Sequence, residues 1–184
     1  MQKMENASTT YDPVAKTLHW LMFALLLAQF IIAFIMPEIK RGVVPETYIK
    51  LHLSFGILIL LVIVLRLLWR LNHGVPAADE NLPARQQKAA RAMHWLFYFL
   101  LLVLPIMGWA AASARDWQIT PFGTLTLPYL LPAGTKIGHL IGDVHAVLSW
   151  TLLGLIGLHI VLALYHHFIV RDHVLQRMLP GSRV

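Results

Sequence analysis

Four apolar stretches with little polar interruption dominate the chain, at about 18–36, 51–71, 92–114 and 144–170. Each is close to the roughly 20 residues an α-helix needs to cross a hydrocarbon core of about 30 Å. None alternates apolar and polar positions as a barrel strand does. In lipid the backbone must satisfy its own polar groups, so such runs form helices. The pattern predicts an all-α membrane protein, a four-transmembrane-helix bundle with residues 1–184 as one domain. The first run is too long for the apolar core of a secretory signal, and no small-x-small cleavage pattern follows Met36. It reads as a retained span.

Composition narrows the class. Hydrophobic residues make up 58% of the chain and charged ones 13%, too few to cover a soluble surface. There is no cysteine, which excludes disulfides, c-type haem attachment and thiolate-held iron–sulfur clusters. With four spans, both termini and the 72–91 loop share one side. That side carries Lys3, Lys16, Arg66, Arg70, Arg85, Lys88, Arg91, Arg171, Arg177 and Arg183, against Lys40, Arg41, Lys50, Arg115 and Lys136 on the other. This bias predicts both termini in the cytoplasm. The net charge of +6 is then a topology signal, with little support for a nucleic-acid partner. The 72–91 stretch, with Pro76, Asp79, Glu80 and Pro83, is expected to be a polar connector. The 115–143 stretch, with Trp117, Pro121, Phe122, Pro128, Tyr129 and Pro132, is expected to be a long loop folded over the outer face. An internal echo, TLHWLMFALLL at 17–27 and AMHWLFYFLLL at 92–102, hints at two related hairpins.

The histidines carry the chemistry. Of ten, eight lie in or beside the spans: His19, His52, His94, His139, His145, His159, His166 and His167. Ionisable groups at membrane depth are costly and usually functional, although one histidine near a helix end is as readily an interfacial hydrogen-bonder. His145 and His159, fourteen residues apart, return to one face within roughly 40° and stand about 21 Å apart along the axis. That suits two stacked sites on one helix. His52 opens the second span level with His145, and His19 opens the first level with His159. The pairs His52/His145 and His19/His159 would each hold a haem b between two imidazoles, two haems in all, suited to electron transfer. His94 opens the third span at the depth of His19 and is the alternative partner for His159. Gly154 and Gly157 are expected to admit a macrocycle or a neighbouring helix. Arg66, fourteen residues after His52, and Arg70 one turn on are candidate propionate contacts; snorkelling to headgroups explains them equally well. Zinc fits poorly, because no HExxH occurs and two pairs about 21 Å apart do not make a tetrahedral site.

In order along the chain, TLHWLMF at 17–23, KLHLSFGILIL at 50–60, RLLWRL at 66–71, LPIMGW at 104–109, PFGTLTLPY at 121–129 and GLHIVLALYHH at 157–167 resemble the bacterial cytochrome b561 family. Within it, the likeness is to the short four-helix members described as superoxide oxidases. The resemblance implies haem ligands at His19, His52, His145 and His159, and a bacterial inner-membrane location. It also implies electron flow from periplasmic superoxide through two haems to ubiquinone. Superoxide is an anion, so Lys50, Arg115 and Lys136, with His139 nearby, are candidates for a cationic entrance. Glu38, Glu46, Asp116 and Asp143 leave that side at only about +1. His166, seven residues past His159 and roughly 10 Å nearer the cytoplasm, is a candidate to hydrogen-bond or protonate the quinone, with Thr17 at similar depth. Capping of the span is the plain alternative. Two other functions stay open: a haem-b subunit moving electrons between quinol and a partner redox protein, and a haem-free scaffold or transporter.

Overall fold

The computed structural model describes residues 10–40, 42–77 and 82–182. Lys3, Arg41, Asp79, Glu80 and Arg183, used in the charge and loop readings above, lie outside them. The chain forms α1 (Pro13–Ile35), α2 (Thr47–His73), α3 (Ala84–Ala114) and α4 (Lys136–Tyr165). A π-helical turn, His166–Val170, continues α4. All four helices are long and apolar enough to cross a membrane, and no strand occurs among the described residues.

The helices overrun the predicted spans. α3 starts at Ala84 rather than 92, taking up half of the expected 72–91 connector. α4 starts at Lys136 rather than 144, so Lys136, His139 and Asp143 lie on a helix and the loop shrinks to 115–135. Hydropathy marks where lipid ends, whereas a helix ends where its propensity ends. Arg85, Gln86, Gln87, Lys88 and Arg91 are good helix formers and carry α3 past the apolar boundary. At the start of α1, Asp12 caps the helix by accepting from the Ala15 amide at 3.0 Å, with Pro13 at the first helical position. The Trp69 indole also donates to Asp12. Slight burial pushes the Asp12 carboxyl up, but these hydrogen bonds outweigh it and hold the group below its ordinary value.

α1 packs on α2, α2 on α3, and α3 on α4. Their shared core is Met22 and Leu25 from α1, Ile59, Val62 and Ile63 from α2, Tyr98, Leu100, Leu101 and Leu104 from α3, and Leu152 from α4. The α3–α4 hairpin is the tightest joint. A Cβ at Gly138 would lie 2.0 Å from the Ala114 Cβ, and the Gly134 amide donates to the Ala114 carbonyl at 2.8 Å.

Each end of the bundle is closed. At the end bearing the termini, the segment after α4 folds back over the start of α1. The Trp20 indole donates to the Met178 carbonyl at 2.9 Å. Buried Lys16 donates to the Ser182 carbonyl and hydroxyl, both at 3.1 Å. At the opposite end the 115–135 loop forms a cap, with Trp117 and Ile119 buried against Ile49 and Ala112. Two buried hydroxyls rivet it. Ser54 accepts from the Phe122 amide at 3.1 Å and Ser113 from the Leu130 amide at 3.0 Å, each donating back to its own helix. Phe122 takes a left-handed conformation (φ 49°) and packs edge-on against Phe55. Tyr129 donates to Asp116 at 3.0 Å, a bond that holds its phenol above the ordinary value.

Gly138→Val puts three carbons where the Ala114 side chain already sits, and is expected to destabilise the hairpin by roughly 1–3 kcal/mol. A detergent thermal melt reads this as a lowered midpoint. An unchanged midpoint would mean that the two helices do not meet there.

Candidate functional site

Two layers of histidine cross the bundle between α4 and its neighbours. In the layer remote from the termini, His52 of α2 faces His145 of α4 with ring centroids 6.3 Å apart. In the layer near the termini, His19 of α1 faces His159 of α4 at 6.4 Å. His94 of α3 faces the same His159 at 6.0 Å. The echo between the first and third spans thus has a spatial counterpart: the two HW steps flank one imidazole. A metal–imidazole bond is about 2 Å long, so two imidazoles trans on one ion have centroids about 6 Å apart. All three pairings meet that spacing, so distance alone does not choose between His19 and His94.

Proton bookkeeping adds a second test, because a ligand imidazole keeps its proton on the nitrogen turned away from the metal. His145 passes. Its Nδ1 lies 2.9 Å from the Leu104 carbonyl; a carbonyl only accepts, so the proton is on Nδ1 and the Nε2 lone pair is left for a metal. Gly108 makes room for this ring, since a Cβ there would lie 3.3 Å from His145 Cε1. His52 differs, because its Nε2 lone pair is already engaged. Gln29 Nε2 donates to His52 Nε2 at 3.2 Å and to the His52 carbonyl at 3.1 Å, which assigns the ring proton to Nδ1. His52 Nδ1 and Gln29 Oε1 are then buried with no hydrogen-bond partner among the described residues. With one Nε2 lone pair left for a metal, a second held by an amide that a metal would displace, and two orphaned polar atoms, the layer has the residues of a metal-bridged pair.

The layer near the termini is cationic and aromatic. Arg66 is turned into the bundle rather than out to headgroups: its guanidinium donates to His19 Nδ1 at 3.0 Å and to the Tyr98 hydroxyl at 3.3 Å. Arg70 lies over the Trp95 and Tyr98 rings, at 5.6 and 5.5 Å. A small, open cleft lies beside them, lined by Tyr11, Arg66, Trp69, Arg70, His94 and Tyr98 among others. No acidic side chain among the described residues lines it.

The remaining sequence-derived candidates are more dispersed. Arg115 donates to the Ala111 carbonyl at 2.9 Å and lies over Trp117. Its guanidinium packs on the backbone of α4 at Gly142, one turn from His145. Lys50 and Lys136 are exposed, on α2 and at the start of α4. Thr17 is exposed and its hydroxyl is turned back to the Pro13 carbonyl at 2.9 Å. His166 engages Asp172 at 2.5 Å. Among the described residues, no neighbouring helix packs on Gly154 or Gly157. A Cβ at either meets nothing within 4 Å, and Gly154, nine residues from His145, falls about half a turn away from the histidine face. Leu152 occupies that face between the two histidines and is buried.

Sequence reasoning missed Gln29, Tyr98 and Gly108. Gln29 carried a readable signal, as an amide inside an apolar run. Gly108 carried one only as part of LPIMGW, without the partner that explains it.

The model of the family described as prokaryotic cytochrome b561 matches residues 10–181. The chain is 30% identical over 182 residues to cytochrome b561 homolog 2 of Escherichia coli K12, covering 96% of this chain and 95% of that protein. It is 32% identical over 170 residues to a probable superoxide oxidase of Yersinia pestis (90% and 93% covered). It is 25% identical over 175 residues to cytochrome b562 of Cereibacter sphaeroides (92% and 94% covered). With its four membrane-crossing helices, the chain belongs to the prokaryotic cytochrome b561 family of haem-b electron-transfer proteins.

Proposed function

We propose that this protein is a di-haem b oxidoreductase of the bacterial inner membrane that passes electrons from periplasmic superoxide to ubiquinone. The observation that carries the reading is the His52/His145 layer, where two imidazoles face each other at 6.3 Å. There the Leu104 carbonyl leaves the His145 Nε2 lone pair for a metal, and His52 Nδ1 and Gln29 Oε1 are buried with no partner among the described residues. His52 and His145 would hold one haem and His19 and His159 the other, with His94 beside the second. Bound there, haem would supply a one-electron iron couple, the chemistry of electron transfer. His19 at present accepts from Arg66, which only donates. Were His19 to hold haem through Nε2, its proton would lie on Nδ1 and Arg66 would turn to another acceptor. A haem propionate is such an acceptor, and Arg70 lies one turn on.

The termini face the cytoplasm in this reading, by the excess of Lys and Arg on their side. The His52/His145 layer then lies under the periplasmic cap. Arg115 is fixed to both α3 and α4, against Gly142 one turn from His145, Lys50 precedes His52 by two residues, and Lys136 contributes field. His166 and Thr17 belong to the quinone side. The name of the Yersinia pestis relative supports the choice of superoxide as donor.

Three outcomes are expected. Purified protein carries two b haems per chain; His145→Ala and His159→Ala each lose one, while His94→Ala keeps both, as quantified by the pyridine haemochrome. Loss of a haem from His94→Ala with retention in His19→Ala would move the ligand to α3. Pulsed superoxide reduces the haems and added ubiquinone reoxidises them; haems inert to superoxide but readily reduced by quinol would instead make this an electron-transfer subunit for a partner protein. Arg115→Gln slows the superoxide step roughly two- to fivefold at low ionic strength, with the difference shrinking as salt screens the field. A salt-independent rate in both proteins would remove the cationic entrance.

A further inference from the structure

Beyond Tyr165 the chain does more than end a helix. It makes the π turn His166–Val170, passes Arg171 in a left-handed conformation (φ 60°), and returns Asp172 onto the turn it has just left. The Asp172 amide donates to the His166 carbonyl at 3.2 Å. Its Oδ2 lies 2.5 Å from His166 Nδ1, and its Oδ1 accepts from the Val174 amide at 3.0 Å. The two side chains are only 19% and 14% exposed. Both carboxylate oxygens are thus tied, one to the backbone and one to the ring, and the imidazole is held with its proton on Nδ1 and Nε2 left for a second partner. A histidine that merely caps a span at the interface needs no such carboxylate.

The other charged groups at this end have different partners. Lys16 is bonded to Ser182, Arg66 to His19 and Tyr98, and Asp12 to Trp69. Arg70 lies over Trp95 and Tyr98. Arg171 is the neighbour of Asp172 in the chain, and the His167 ring packs edge-on against Phe168.

We infer that Asp172 is the positioning residue of a His166–Asp172 pair that delivers a proton to the quinone; this rests on ubiquinone being the acceptor. Each ubiquinone takes two electrons, from two superoxide ions oxidised to dioxygen, and two protons. His166 first takes a second proton onto Nε2 from cytoplasmic water, and the imidazolium then gives that proton to one carbonyl oxygen as negative charge develops there. The other carbonyl takes its proton from water at the membrane surface. Asp172 fixes the ring and balances the imidazolium, as the aspartate of a catalytic triad does for its histidine.

The test uses the detergent-purified holoprotein with its haems chemically reduced, mixed with a short-chain ubiquinone analogue. Asp172→Asn is expected to keep haem content and superoxide-driven reduction. It should lower the maximal rate of reoxidation on the order of 10–100-fold, with little change in the quinone concentration for half-maximal rate and a larger solvent deuterium isotope effect. Asp172→Glu recovers most of the rate. His166→Gln shows the same defect, and the double variant is no slower than the slower single, because the two act as a unit. Wild-type reoxidation by Asp172→Asn, or additive defects in the double variant, overturns the inference. Should Asp172→Asn lose haem, Asp172→Glu decides: a rate near wild type supports the pair, and one as slow as His166→Gln sinks it. If wild-type protein itself is not reoxidised by ubiquinone, the acceptor reading fails and takes this inference with it.

Discussion

The structure turns on the cost of placing an imidazole in hydrocarbon. Each ring brings two nitrogens, and in a medium without water both need partners. His145 shows how the fold meets that demand. Leu104 offers its carbonyl to Nδ1, and Gly108, one turn further along α3, removes the side chain that would crowd the ring. Both depend on α3 and α4 lying close together, which the Gly138–Ala114 contact enforces at the end of the hairpin. The cap of residues 115–135, riveted through Ser54 and Ser113, then closes that end of the bundle.

The two layers differ in electrostatic character. Around His52 and His145 the polar groups that touch the rings are neutral, an amide from Gln29 and a carbonyl from Leu104. Around His19, His94 and His159 there are two guanidiniums and the aromatic rings of Trp20, Trp95, Phe97 and Tyr98. Negative charge is favoured in the second layer, whether it arrives as an electron or as a carboxylate. The segment 172–182 covers the same end through Trp20 and Lys16, so the cationic layer is set back from bulk water by the chain's own terminus.

Much of this was legible in the sequence because lipid imposes simple rules. Four apolar runs must be helices, and two histidines fourteen residues apart must share a face. His52/His145 and His19/His159 do meet across the bundle. The failures have one cause, which is that periodicity reports direction and depth but not packing partners. The helices α3 and α4 begin before their apolar runs, because their first turns lie beyond the apolar boundary, where hydropathy carries no signal. Gly154 and Gly157 drew attention as small residues, while the glycine that receives a histidine ring is Gly108, on another helix. Arg66 and Arg70 were placed at the right depth, but no pattern in the chain showed them converging on Tyr98, 32 residues past Arg66. Asp172 was invisible because a left-handed residue and a π turn, neither with a sequence signature, bring it back to His166.

The central claim is that the bundle holds two separate iron centres, each between two imidazoles. Low-temperature electron paramagnetic resonance of the oxidised, detergent-purified protein tests it most directly. The account predicts two distinct low-spin ferric signals of equal intensity, together accounting for two irons per chain. A single low-spin signal at one iron per chain, or a dominant high-spin signal from five-coordinate iron, would contradict it.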